Sequence, residues 1–484
     1  MKKTLLSLFL LSLAFGSYAA EYKMTGAASS TPAYKDWNNP SDWDQGSVPS
    51  ATDDVLFHEN AVVRWTTGGT IVVNNFKRTG WSGTTTIATL TEEQESNIPS
   101  ISDYLSIAPS LLVNGNLNMD QGQLILGSAA QSRGFKNITV KGDVLLNNPD
   151  NAAPKLATVF VPDNGGVSTY SRTNLSMDVG GVVRFNADSS RTFHEWAINR
   201  SGSGDTDYGK VNAFVRVGGI DGWGVIANQD TGAVSTTLIF ENPDGNFQGG
   251  EFDGTFKHYY NGSSSFNIIM NDSVGVNGQV IRIRGFAENT IDHKAAINIS
   301  VEKGVLGLYT DSGADTARLS SLSVSGGVLE VVSSLKDAPE FIEGVVCTDS
   351  MNITGGEIQF DLVSFGGGVY ANDSIETTSI SGANGTFVLN LGGEFEWGEE
   401  IDISGLELFR YITGDNTYDA ASSVIRIIFE GKDITSYLDK VDLYFLGGSI
   451  LLDIAGTIAV PEPAEVAALF GLAALAFAAY RRRK

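Results

Sequence analysis

The chain holds one cysteine, four histidines and twelve prolines among 484 residues, and each scarcity removes a class of protein. A single cysteine excludes an internal disulfide framework and any zinc site built on cysteine pairs. Cys347 lies in Gly344-Val345-Val346-Cys347-Thr348 and reads as a small buried hydrophobe, the alternative being a surface thiol that pairs with another chain. His58, His194, His258 and His293 show no metal-ligand spacing, and no Gly-x-Ser-x-Gly nucleophile motif is present. Basic residues are also few, 32 against 56 acidic, which leaves a net charge of −24. Such a surface repels nucleic acid and anionic lipid headgroups, and it attracts divalent cations or basic partners. Helical periodicity is almost absent. Long apolar runs occur only at the two ends of the chain.

At the first end, Lys2 and Lys3 precede an apolar stretch from residue 5 to 15 and then small residues, the layout of a secretory signal peptide. Ser17 and Ala19 fit a small-x-small site, so residues 1–19 are expected to be removed after Ala19, with Ala20 as the alternative point. A permanent N-terminal helix is disfavoured because the stretch is too short to span a bilayer comfortably. No cysteine follows it, which excludes a lipoprotein signal.

At the second end, Val460-Pro461-Glu462-Pro463 leads into an apolar run over 464–480, closed by Arg481-Arg482-Arg483-Lys484. Seventeen helical residues reach about 25 Å, near the lower limit for a membrane span. Only Glu465 is charged, at the start of the run. The four terminal cations hold their end on the cytoplasmic side by the positive-inside rule, which puts the preceding chain outside. Pro461 and Pro463 keep that chain extended and accessible to a protease. A plain anchor with an incidental proline pair is the alternative. In its three parts and their order the segment 460–484 resembles the PEP-CTERM sorting tail of Gram-negative bacteria. The resemblance implies export through the inner membrane, a transient membrane anchor, and cleavage at or beside Pro461, Glu462 and Pro463 by an exosortase-type enzyme. The body would then reach the cell surface or the extracellular matrix. Loss of residues 1–19 and 464–484 removes six cations and one anion, which takes the net charge to −29.

Between these ends, glycine supplies 55 residues and short alternating segments recur. They share an apolar-x-apolar step, a glycine turn and a second apolar step. Examples are Leu111-Leu112-Val113-Asn114-Gly115-Asn116-Leu117, Ile138-Thr139-Val140-Lys141-Gly142-Asp143-Val144, and segments starting at Met177, Val215, Ile299, Leu322, Met351 and Ile380. The last four starts are separated by 23, 29 and 29 residues. A period of this size made of short strands predicts a stacked β architecture, in which each rung buries its apolar row only against its neighbours. The expected fold is all-β, a right-handed parallel β-helix over 66–459 with loop insertions, followed by one C-terminal transmembrane helix. Tandem antiparallel β-sandwich domains are the alternative. Residues 20–65 are expected to cap the stack. There Trp37 and Trp43, a Gly46-x-x-Pro49 step and Asp54-Val55-Leu56-Phe57 resemble the opening of autotransporter passenger repeats, without the C-terminal barrel of those proteins. Residues 74–109, with Trp81 and Glu92-Glu93-Gln94-Glu95, read as an exposed loop or a hairpin laid over the first rungs.

Candidate chemistry is sparse. Phe193-His194-Glu195-Trp196 groups residues that a sugar site uses, but a strand points His194 and Glu195 to opposite faces, so a satisfied loop or surface pair is expected. Asp205 and Asp207 follow glycines at a spacing that suits calcium, yet the motif occurs once; Asp311 with Asp315, and Asp42 with Asp44, are weaker still. No catalytic residue and no cofactor is expected, calcium apart. Tyr259-Tyr260, Trp223 and Trp397 are candidates for stacking on sugar rings or for filling the core. The expected function is that of a non-enzymatic surface or matrix protein for adhesion, with exopolysaccharide or another surface glycan as partner. A carbohydrate-active β-helix enzyme, a polysaccharide lyase or hydrolase, is the alternative. A receptor-binding adhesin is a third.

Overall fold

The structure is a computed structural model that describes residues 19–24, 34–58, 61–65, 68–79, 83–89, 108–127, 134–147, 154–158, 160, 175–186, 194–200, 212–229, 235–242, 248–258, 265–272, 278–284, 296–310, 318–334 and 341–458. Within them the chain is almost entirely strand, arranged in one sheet of 22 strands and one of 15. Nearly all pairings are parallel, which antiparallel sandwiches do not produce. No helix among the described residues is long and apolar enough to cross a membrane. The apolar run 464–480 lies outside them.

Strands stack in ladders because every second side chain is apolar and finds its equals one rung above and below. The longest ladder begins at Thr70–Val73 and climbs through Ser110–Val113, Asn137–Val140, Met177–Val179, Ala213–Val217, Ser235–Phe240, Ser265–Asn271, Ala296–Lys303, Leu319–Val324 and Val345–Ile353 to Ser374–Gly382. One buried column on it contains Leu111, Ile138, Met177, Val215, Leu238, Ile268, Ile299, Leu322, Met351 and Ile380. The eight starts read from sequence all stand in it, in register. Leu238 and Ile268 complete the stretch where the repeat is not legible.

Uneven spacing in the first half has a different cause from the one expected. Turn length varies there because each turn carries three strands rather than two. A second ladder runs from Glu21–Lys23 through Asp54–Phe57, Phe76–Arg78, Leu117–Met119 and Val144–Asn147 to Val183–Asn186. A third runs from Tyr34–Asp36 through Ala61–Arg64, Thr84–Ala88, Gln123–Leu126 and Lys155–Thr158 to His194–Arg200. Both then pair with one long strand, Ile220–Gln229, and continue as a single ladder to Val424–Phe429. Gly222, at φ +92°, permits the bend inside that strand, and Gly224 leaves room for the Phe185 ring, which a Cβ there would approach to 2.2 Å.

Two further expectations need correcting. Phe76–Arg78 and Thr84–Ala88 are rungs of the stack, not a loop or hairpin laid over it; residues 90–107 lie outside the description. Nor does parallel stacking continue to residue 459. Glu400–Arg410 touches the last rung only through Phe409 and Arg410, then pairs antiparallel with Ser449–Thr457, which pairs antiparallel with Leu438–Leu446. A parallel stack exposes raw edge groups at its end, and this antiparallel layer closes them. Its outermost strand carries Asp439, Lys440 and Asp442, charges that discourage further pairing.

At the opposite end Trp37 and Trp43 are buried edge to face, 5.1 Å between ring centroids, with Phe57 beneath both. The Trp43 indole N–H donates to the Trp37 carbonyl at 2.9 Å. Asp42 and Asp44 fasten this end: Asp42 accepts from the Asp36 amide at 2.9 Å and faces the Lys35 ammonium at 3.3 Å, while Asp44 accepts from the Lys23 amide. Those uses leave the pair no open calcium-binding geometry.

Candidate functional site

The sorting residues Pro461, Glu462 and Pro463 and the basic end Arg481, Arg482, Arg483 and Lys484 lie outside the described residues, as do Asp205, Asp207, Asp311, Asp315, Tyr259, Tyr260 and His293. The fold is fastened close to both processing points. The Ala20 carbonyl accepts from the Asp54 amide at 2.8 Å, and the first strand begins at Glu21. Ile458 is held on both sides, its amide on Glu399 and its carbonyl by Gly398, each at 2.8 Å.

His194 is not a surface residue. Period-two alternation points it into the core, where it is fully buried and neither ring nitrogen makes a hydrogen bond of good geometry. Burial pushes its pKa down to about 4, against a smaller opposing pull from the Leu146 backbone. Glu195 points outward as expected and meets Lys155, its ladder neighbour, at 2.7 Å. Cys347 is buried, and its thiol donates to Glu376 at 3.4 Å. Burial first and the Glu376 carboxylate second push the thiol up to about 11, so it is neither a reactive thiolate nor a surface thiol. Trp397 belongs to the C-terminal closure: it packs on Phe429 at 4.7 Å, donates to Glu430 at 2.7 Å and lies under the Lys432 ammonium. Among the described residues, no group of three or more His, Cys, Asp or Glu side chains is placed to hold a metal ion.

Two surface cavities bring together residues that the sequence did not single out. One, of about 390 Å³, opens where Glu400–Arg410 parts from the last rung, and is lined by Glu343, Tyr370, Asn372, Glu407 and Arg410 among others. Tyr370 is held stacked on Phe395 at 5.7 Å, and the Arg410 guanidinium stands 3.3 Å from Glu376. Beside the lining residues Asn372 and Ser374, Asp373 is buried and accepts from the amides of Gly344 at 2.5 Å and Asp361 at 2.9 Å. Burial outweighs those two bonds, and with the nearby acids it lifts the carboxyl to about 7. A perturbed acid beside a polar cavity is the pattern of a catalytic site, although here both amide bonds tie the carboxyl to backbone as a structural staple.

The other cavity is a trough of about 460 Å³ along the outer face of the longest ladder. Its walls are Ser321 and Ser323, Ser350 and Asn352, and Ser379 and Ser381, with Asp415 and Thr417 at one end. The repeated segments held this signal, since the polar positions flanking the apolar starts are serine or asparagine on three successive rungs. No family model matches the chain, and no curated protein does.

Proposed function

We propose that the chain is exported across the inner membrane of a Gram-negative bacterium, held briefly by its C-terminal helix, and released by an exosortase-type enzyme to act at the cell surface or in the extracellular matrix. The body is read as a right-handed β-helix that works as a stiff, acidic display scaffold, without catalysis or a bound cofactor, and that associates with exopolysaccharide or another surface glycan. The observation that carries the reading is the tail itself, Pro461-Glu462-Pro463, an apolar run and four terminal cations in that order. The uninterrupted ladder from Thr70 to Gly382 supports it, because the structural effort of the chain goes into a continuous outer surface.

The test is the mass of the C-terminal peptide recovered from surface and culture fractions. Termini near residues 460–463, lost when Pro461, Glu462 and Pro463 are all replaced by alanine, are the expected result. An intact tail through Lys484 in every fraction would end the sorting reading. The cavity beside Asp373 favours a second reading, a carbohydrate-active enzyme using Glu343 or Glu407. It requires release of sugar fragments that Glu407→Gln or Glu343→Gln abolishes.

A further inference from the structure

We propose that the trough across the outer face of the longest ladder binds an uncharged polysaccharide chain laid along the stack, perpendicular to the strands. The inference rests on the surface-glycan reading and names both the site and the ligand class within it. Ser321, Ser350 and Ser379 stand in one column of the ladder, and Ser323, Asn352 and Ser381 in the next. Neighbouring rungs lie about 4.8 Å apart, so the trough offers the same hydrogen-bonding pair three times at a fixed step. A polymer of repeating units uses such a step; a compact ligand does not.

The orientation of the hydroxyls selects the class. Ser321 donates to the Asn298 side chain at 2.8 Å, Ser350 to the Ser320 carbonyl at 3.2 Å, Ser379 to the Asp349 carbonyl at 3.3 Å, and Ser381 to the Asn352 side chain at 3.2 Å. Each acceptor belongs to the preceding rung. With the protons committed backward, the outward lone pairs accept hydrogen bonds, as does the exposed Asp415 carboxylate at the end of the trough. A neutral glycan supplies hydroxyl donors at every residue and meets these acceptors without burying a charge. A polyuronate brings carboxylates, which only accept, toward a carboxylate on a strongly acidic protein, and is repelled. The floor of the trough, Leu322, Met351 and Ile380, belongs to the buried column, so the grid is held by the core and is in place before the ligand arrives.

The experiment is calorimetric titration of the full chain, purified in detergent, with soluble neutral glycans (dextran, laminarin, xyloglucan) and with alginate as the charged counterpart. At least one neutral glycan is expected to bind, with alginate at least ten-fold weaker. Ser350→Val combined with Ser379→Val is expected to reduce neutral-glycan affinity at least ten-fold at an unchanged thermal midpoint, and Ser350→Ala with Ser379→Ala to do the same. Ser110→Val, in the same column but outside the trough, keeps the affinity. Binding of alginate alone, binding of no neutral glycan, or full affinity in both double variants overturns the site. Failure of the sorting reading is seen separately, in the C-terminal masses.

Discussion

Single side chains in this protein act mainly on the rung before or after their own. At one corner Asn75 accepts from the Asn116 amide, Asn116 from the Asp143 amide and Asp143 from the Val182 amide, each at 2.8 Å. The glycines there answer to space rather than to a left-handed backbone, contrary to the usual reason for a turn glycine. A Cβ on Gly115, Gly142 or Gly181 would stand 2.1 Å from the side-chain oxygen of Asn75, Asn116 or Asp143. Gly142→Ala is therefore expected to cost about 1–3 kcal/mol, and adding Asn116→Ala to relieve part of it. A double-mutant cycle by chemical denaturation reads the coupling, and strict additivity would refute the contact. His194 sets a second test. Its folded pKa lies below the unfolded one, so its contribution is complete above pH 6.5 and is lost as pH falls from there toward about 4. Asp373 has the opposite sign: its pKa is raised, so its contribution is complete below about pH 3.8 and is lost as pH rises through about 7. His194→Phe should flatten the stability profile between pH 6.5 and 4, and Asp373→Asn the profile between 4 and 7; melting curves across that range decide both.

At the scale of strands, the informative place is the merger of two ladders into Ile220–Gln229. Gln279 reaches past Gly250, its ladder partner, to accept from the Ile220 amide at 2.9 Å and donate to the Ile220 carbonyl at 2.8 Å in the rung beyond. Only a residue without a side chain leaves that path open, since a Cβ on Gly250 would lie 2.3 Å from the Ile220 carbonyl. Gln279→Ala leaves two buried backbone groups unpaired and is expected to cost about 2–5 kcal/mol, measured by denaturant unfolding. Gln279→Glu should be as harmful near neutral pH, because it replaces the donor with an acceptor charge. The strands after the merger keep steps of 23, 29 and 29 residues, and so their repeat is visible in the sequence. Before it, three strands per turn blur the period.

Over the whole molecule, each rung touches only its neighbours, and the two ends need closing by different means. The N-terminal end uses the Trp37 and Trp43 pair, the C-terminal end an antiparallel layer built on Ile450, Leu452 and Ile454. Trp43→Ala is expected to cost about 3–5 kcal/mol and to raise amide exchange most at Asp54–Phe57 and Ala61–Arg64. The effect should fade along the ladders and leave Ser374–Gly382 unchanged. Uniform loss of protection from end to end would mean that the stack unfolds as one unit.

The sequence alone determined that the body is a stack of short strands, and in eight places which apolar residue lies over which, because burial of alternate side chains makes register and hydrophobic pattern the same thing. It also holds the terminal signals, whose physics is local: charge, apolar length and proline. What lies between the patterned steps was decided only in three dimensions. The number of strands per turn depends on whether two ladders join, and His194 reads as polar until its rung turns it inward. The cavity beside Asp373 exists because one strand leaves its neighbour. The serine trough needed both kinds of information, a pattern written in the polar positions and a register that brings three distant triplets side by side.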